Sequence, residues 1–236
     1  MGRLRGVVLA GCLLLSACGG GSGETVTGTR DYIDFVRFGG VTYYVADHGV
    51  GRPITRRDLG PEFARVRANP PASGSPLAYR PRDGDAAYLP VGSSVFSVKG
   101  YRPGFRLAAS HHGRLWLYEA EEAVGAGTGA DLLDLDGKVR YLSVNSGRYE
   151  LARIKDRPRV AELVGQVLAA PVRPASGRIE QPYCFVVFNL ADRTAVRRLF
   201  VPGTGLLWPG VVVPVTFTGA IEDALAAEGR SCGRAA

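Results

Sequence analysis

Histidine is scarce in this chain, with three residues in 236: His48, His111 and His112. That scarcity limits acid–base and metal chemistry, because imidazole is the side chain that ordinarily titrates near neutral pH and the commonest metal ligand. Cysteine is also sparse, with four residues and no CxxC pair, which removes the redox dithiol and the usual zinc spacings. No GxSxG sequence is present to form a nucleophile elbow. Lysine occurs only at Lys99, Lys138 and Lys155, so there is no polylysine arm. The longest apolar stretch, residues 7–15, is about half of the ~20 residues that a membrane-spanning helix needs.

What is present is globular: 46% hydrophobic and 9% aromatic residues. The formal charge of +7 is carried almost wholly by arginine and is interspersed with acidic residues along the chain. Its one modest cluster is Arg52, Arg56, Arg57, Arg65 and Arg67, diluted by Asp58 and Glu62. A solvated face accounts for such a mixture, with weak contact to anionic headgroups or wall polymers as the functional alternative. No RNA- or DNA-binding signature accompanies it, so nucleic acid is not expected as a partner.

The N-terminus orders its residues as a secretion signal does: basic Arg3 and Arg5, the apolar run 7–15, then Leu15-Ser16-Ala17-Cys18. This arrangement resembles the lipobox of bacterial lipoproteins, and with the Ala-, Gly- and Arg-rich composition it is similar to small actinobacterial lipoproteins. The resemblance implies that residues 1–17 are a signal peptide and that Cys18 becomes the lipidated first residue of the mature chain. It places the protein on the extracytoplasmic face of the cell membrane, held by acyl chains that each contribute about 0.8 kcal/mol per buried methylene. Arg3 and Arg5 leave with the signal, so the mature charge falls to about +5. Residues 18–28, including Gly19-Gly20-Gly21-Ser22-Gly23, read as a flexible tether.

Four cysteines then have separate fates. Cys12 leaves with the signal and Cys18 carries lipid. Cys184 and Cys232 remain as an even pair in an oxidising compartment, where a structural disulfide is the default expectation.

Along the body, residues 32–38 and 41–46 flank Gly39-Gly40 and read as a hairpin. Gly60-Pro61 reads as a helix start running to Arg67, with Phe63 and Val66 inward. Residues 69–85 read as a long loop, followed by strands at 86–89, 93–99, 105–109 and 114–119. Gly125-Ala126-Gly127-Thr128-Gly129 is the expected boundary between units 29–124 and 130–236. The second unit opens with strands at 132–135, 139–144 and 149–154. A helix at 158–169 is expected next, capped by Asp156, with Val160, Leu163, Val164, Val167 and Leu168 at helical spacing. Strands at 183–190, 195–201 and 211–217 precede a last helix capped by Thr218 and stopped by Gly229. The fold class that follows is α+β: strand-rich, mostly antiparallel, with a few short helices and a similar order of elements in its two halves.

Candidate chemistry is thin. Asp131, Asp134 and Asp136 invite a calcium loop, but an EF-hand register would put Leu132 at its first position and Ser143 at its last. The Gly125 run is GxGxG, not the GxGxxG of a dinucleotide fold. Glu119, Glu121 and Glu122 form a small acidic group at a strand end. Among the aromatics Trp208, flanked by Leu207, Pro209 and Gly210, is the best choice for an exposed contact. No catalytic residue, metal ligand or cofactor is assigned. These features point to a non-enzymatic binding or assembly module of the cell envelope, its partners the membrane and an envelope protein or wall component. The alternative is an envelope hydrolase whose site is built from scattered residues. A solute-capture subunit fits less well, because the parallel βαβ pattern of such proteins is missing.

Overall fold

The computed structural model describes residues 33–46, 49–70, 79–173 and 181–233. Cys18, the lipobox, the glycine tether, Asp47, His48 and residues 71–78 of the long loop lie outside the described residues. Tyr32–Ala236 forms one compact unit. It is α+β, with two six-stranded sheets and three short α-helices, and every strand pair described is antiparallel. No helix among the described residues is long and apolar enough to cross a membrane.

The first sheet contains β1 (Phe35–Phe38), β2 (Val41–Val45), β3 (Leu59–Arg65), β4 (Ser94–Val98), β5 (Arg106–His111) and β6 (Arg114–Ala123), in the order β1-β2-β6-β5-β4-β3. Its opening hairpin turns where expected, at Gly39 and Gly40, whose φ values of 59° and 77° are cheap only for glycine. The helix expected from Pro61 is instead the edge strand β3. Proline is tolerated there because an edge strand has a side with no ladder bond to donate, and the β3–β4 register is irregular on either side of Glu62. Residues 86–89 form no strand. Ala86 makes an isolated bridge to Val36, and Leu89 is buried beside it in the core of the first sheet.

The second sheet contains β7 (Val139–Ser146), β8 (Tyr149–Ile154), β9 (Cys184–Leu190), β10 (Ala195–Val201), β11 (Leu206–Leu207) and β12 (Val211–Val212), in the order β12-β11-β10-β9-β7-β8. Three helices, α1 (Gly129–Leu132), α2 (Arg157–Ala169) and α3 (Val215–Ala227), accompany it. Helix α2 follows its sequence signals: Asp156 accepts a hydrogen bond from the Arg159 amide at 3.0 Å, and Val160, Leu163, Val164 and Val167 are buried. Each such side chain contributes about 1.5–3 kcal/mol on full burial.

Two expectations in this half are corrected. The strand expected at 132–135 is the last residue of α1 and an irregular segment after it, with Leu132, Leu133 and Leu135 all buried in the large core. The strand expected at 211–217 ends at Val212, and α3 starts at Val215 with Pro214 in the N-cap position, so Thr218 lies buried inside the helix rather than capping it. The glycine-rich segment is not an open spacer at its far end either. Gly129 opens α1 so close to α2 that a Cβ there would stand 2.1 Å from the Val167 carbonyl oxygen. The two halves share antiparallel sheets but not helices. Among the described residues before Gly125 the only helical piece is a 3-10 turn at Arg56–Asp58.

Candidate functional site: a cleft at the joint of the two sheets

The β5–β6 hairpin reverses at His112 and Gly113, both at positive φ, and its register sets Arg106 directly opposite Glu119. Their side chains meet in the interior. Arg106 donates from Nε and Nη2 to Glu119 Oε1 at 3.0 and 2.6 Å, and its remaining donors reach the second sheet, Thr194 Oγ1 at 2.9 Å and the Ala195 carbonyl at 2.8 Å. From β10, Arg198 Nη1 donates to the other carboxylate oxygen of Glu119 at 2.8 Å. The Arg106, Glu119 and Arg198 side chains are 1%, 4% and 7% exposed, so this is a fully interior ion triad. Burial raises the Glu119 pKa, but the charges of Arg106 and then Arg198 outweigh it and hold the carboxyl below its ordinary value.

Further contacts fix the joint around the triad. The Arg106 guanidinium lies 4.6 Å from the Tyr101 ring centroid. Tyr101 donates to Asp192 at 2.9 Å, and Asp192 also accepts from the amide and hydroxyl of Thr194. Arg52 donates to the Asp192 carbonyl and pairs with Asp58 at 2.7 Å. Gly51, at φ 73°, lets this loop lie against β10, where a Cβ would come within 2.7 Å of the Ala195 amide. Two members of the arginine cluster therefore have local partners, Arg52 with Asp58 and Arg65 with Glu62.

Beside the triad, β6 carries a bulge. Thr42 of β2 pairs with Glu122 and Tyr43 with Ala120, which leaves Glu121 as the extra residue. Bulges re-aim side chains. Here Glu121 lines two adjoining cavities, of about 210 and about 320 Å³. The first is walled by Tyr44, Glu119, Glu121, Phe185, Arg198 and Trp208, the second by Glu121, Glu122, Leu132, Arg173 and Trp208 among others. Burial pushes the Glu121 carboxyl up; Arg198 pulls the other way, and Glu119 and Glu122 add to the rise. Tyr44 is pushed up to about 12 by burial, with Glu122 and Glu121 adding. Trp208, expected to be an exposed contact, is half-buried. Its amide donates to the Leu199 carbonyl at 2.8 Å, and its side chain borders both cavities.

The other residues singled out from sequence do not converge. His111 and His112 stack on each other at 3.9 Å at the tip of the β5–β6 hairpin. Asp131 accepts from the Gly127 and Thr128 amides, Asp134 binds Lys138 and the Arg102 amide, and Asp136 precedes Gly137, which turns at φ 65°. Among the described residues no group of three or more His, Cys, Asp or Glu is placed to hold a metal ion. The Cys184 and Cys232 sulfurs lie at disulfide distance, 2.18 Å, with Cα atoms 5.0 Å apart.

Sequence alone missed the triad. The β5–β6 register sets Arg106 across from Glu119, but Arg198 is 79 residues from Glu119, and no local pattern joins them. No protein-family model, curated protein or solved structure matches this chain.

Proposed function

We propose that this protein is a lipid-anchored extracytoplasmic lipoprotein whose folded body is a non-enzymatic binding module, with the cleft between the two sheets as its recognition site. One observation carries the choice of site. Two adjoining cavities share Glu121 and Trp208, and the walls of the first come from both sheets and include Glu119 and Arg198 of the triad. Concave sites with a few fixed polar groups among apolar and aromatic walls are the usual form of small-ligand sites. The anchoring half rests on Leu15-Ser16-Ala17-Cys18.

Each half has its own test. A Cys18→Ala variant is expected to leave the membrane fraction for the soluble one. Membrane association that persists in this variant, insensitive to blocking the lipoprotein signal peptidase, would overturn the anchor. For the cleft, soluble envelope-derived sugars, peptides and phosphates are tested by thermal shift against wild type and Trp208→Ala. A compound that stabilises only the wild type supports the reading, and equal or absent shifts in both chains refute it.

A hydrolase is the second reading, and one observation favours it. Glu119 and Glu121 line the same cavity with pKa values displaced in opposite directions, the pattern by which paired carboxylates divide acid and base roles. Turnover of a stabilising compound by wild type, abolished in Glu121→Gln, would replace the binding module with the enzyme.

A further inference from the structure

We propose that the cleft takes a neutral saccharide of two or three pyranose rings, with Trp208 as the platform between one ring in each cavity. This rests on the binding reading above and names its ligand. Three features of the site carry it.

Charge comes first. The residues lining the two cavities set Arg173, Arg197 and Arg198 against Glu119, Glu121 and Glu122, three guanidiniums against three carboxylates, so neither a cation nor an anion gains a large net attraction there. Arg198 is also already engaged with Glu119 and Ala120. An anionic ligand would have to compete with these bonds. A ligand that needs donors and acceptors but no charge suits the site better.

Aromatic placement comes second. Trp208 borders both cavities, and Tyr44 and Phe185 stand on the side of the smaller one. The face of an aromatic ring is electronegative and attracts weakly positive C–H groups. A pyranose presents a patch of axial C–H bonds on its face and hydroxyls at its rim, so it can stack on Trp208 while its edge seeks polar partners.

Polar placement comes third. The β6 bulge brings Glu121 and Glu122 onto one wall of the larger cavity, and Tyr44 lines the smaller one, which Glu121 also borders. A carboxylate offers two oxygens and accepts from vicinal hydroxyls in pairs, and a tyrosine hydroxyl both gives and accepts. At about 210 and about 320 Å³ the cavities sit at or below the ~300–1,000 Å³ usual for small-molecule sites, which is room for single rings rather than a peptide segment.

The chain has two tryptophans, so a mature chain with Trp116→Phe reports on Trp208 alone. Its emission is followed while the N-acetylglucosamine trisaccharide and, separately, maltotriose are added, with calorimetry in parallel. The expected result is a saturable emission shift with at least one of them and a Kd below about 1 mM. That affinity should fall at least about tenfold in Trp208→Ala, less in Trp208→Phe, and measurably in Glu121→Gln, which keeps the shape of the wall. An unchanged circular dichroism spectrum and unfolding midpoint in Glu121→Gln show that its loss is not misfolding. Silence with both sugars, while a lysine tripeptide or inorganic phosphate shifts Trp208 emission, overturns the saccharide and leaves the binding cleft standing. Silence with all four probes overturns both. Saccharide affinity that is unaltered in both Trp208→Ala and Glu121→Gln also overturns the proposal, since the sugar would then sit elsewhere.

Discussion

The two sheets solve the same problem with different materials. The second buries a large apolar core under helices, with Phe188, Phe200, Phe217, Leu142, Leu163 and Ile221 fully enclosed. The first has a smaller core, around Tyr43, Leu107, Tyr118 and Val95, and no α-helix among its described residues. Its end toward β10 is held by charge, through Arg106 and Glu119. The contrast shows where geometry is fixed by shape and where by valence. Apolar side chains can be exchanged for others of similar volume, whereas a buried carboxylate bonded to two guanidiniums accepts no substitute that lacks its two oxygens.

Removing that carboxylate is the most severe way to break the comparison. Glu119→Ala leaves Arg106 and Arg198 buried without their counter-charge, and the expected loss is about 3–5 kcal/mol in urea unfolding. A loss below about 1 kcal/mol would show the triad to be incidental to the joint. Leu163→Ala probes the apolar side, with about 2–5 kcal/mol expected from the transfer and cavity costs at a fully enclosed position. If that value exceeds the loss in Glu119→Ala, shape outweighs charge in this molecule.

The sulfur pair sharpens the same contrast near the C-terminus. Cys184 is buried at the start of β9, and its partner is 48 residues further on. Closing a loop of that length contributes on the order of 4 kcal/mol in the chain-entropy account, less whatever native strain and residual structure remove. Unfolding with and without reductant, in a Cys18→Ala background, should show the reduced chain about 2–4 kcal/mol weaker. Two titratable thiols in freshly isolated, denatured, unreduced protein of that background would refute the bond.

Acid should act on the charged joint before the apolar core. The Glu119 pKa is held below its ordinary 4.5 in the folded chain, so its contribution is present above that value and is lost as pH falls through the lower folded one. Unfolding midpoints followed downward from pH 5 should therefore drop in wild type more steeply than in Glu119→Gln, which has no proton to gain. Parallel slopes would remove Glu119 from the acid response. The smallest effect is expected at the exposed pair Arg65 with Glu62, where Glu62→Ala should change stability by no more than about 1 kcal/mol.

How legible each part was follows from how local its cause is. Helix α2 was readable because its cap, its apolar spacing and its stop at Pro171 all lie within sixteen residues of chain. The Gly39-Gly40 hairpin was readable for the same reason. Strand β3 was misread because Gly60-Pro61 is a good helix start in isolation, and only its place at the sheet edge makes proline acceptable there. The start of α3 was misread because residues 211–217 are β-branched and apolar. Phe217, Ile221 and Leu225, each four apart and each buried, carried the helical signal that could have moved the start forward. In the cleft, Trp208 and the acidic run at 119–122 were visible as residues. Their meeting was not, because it depends on the pairing of β6 with β2 and on β10 arriving from far along the chain.

The bulge at Glu121 reverses the parity of β6. In an unbroken strand odd and even residues take opposite sides, so two adjacent carboxylates can never share a wall. On β6, Tyr118 and Ala120 belong to the core of the first sheet. By the same count Glu122 would point into that core, and a charge would replace packing. One unpaired residue inverts the count from that point on, so Glu122 pairs with Thr42 and joins Glu121 beside the second cavity. A single inserted residue thus spares an apolar interior a buried charge and doubles the acidic edge of the cleft.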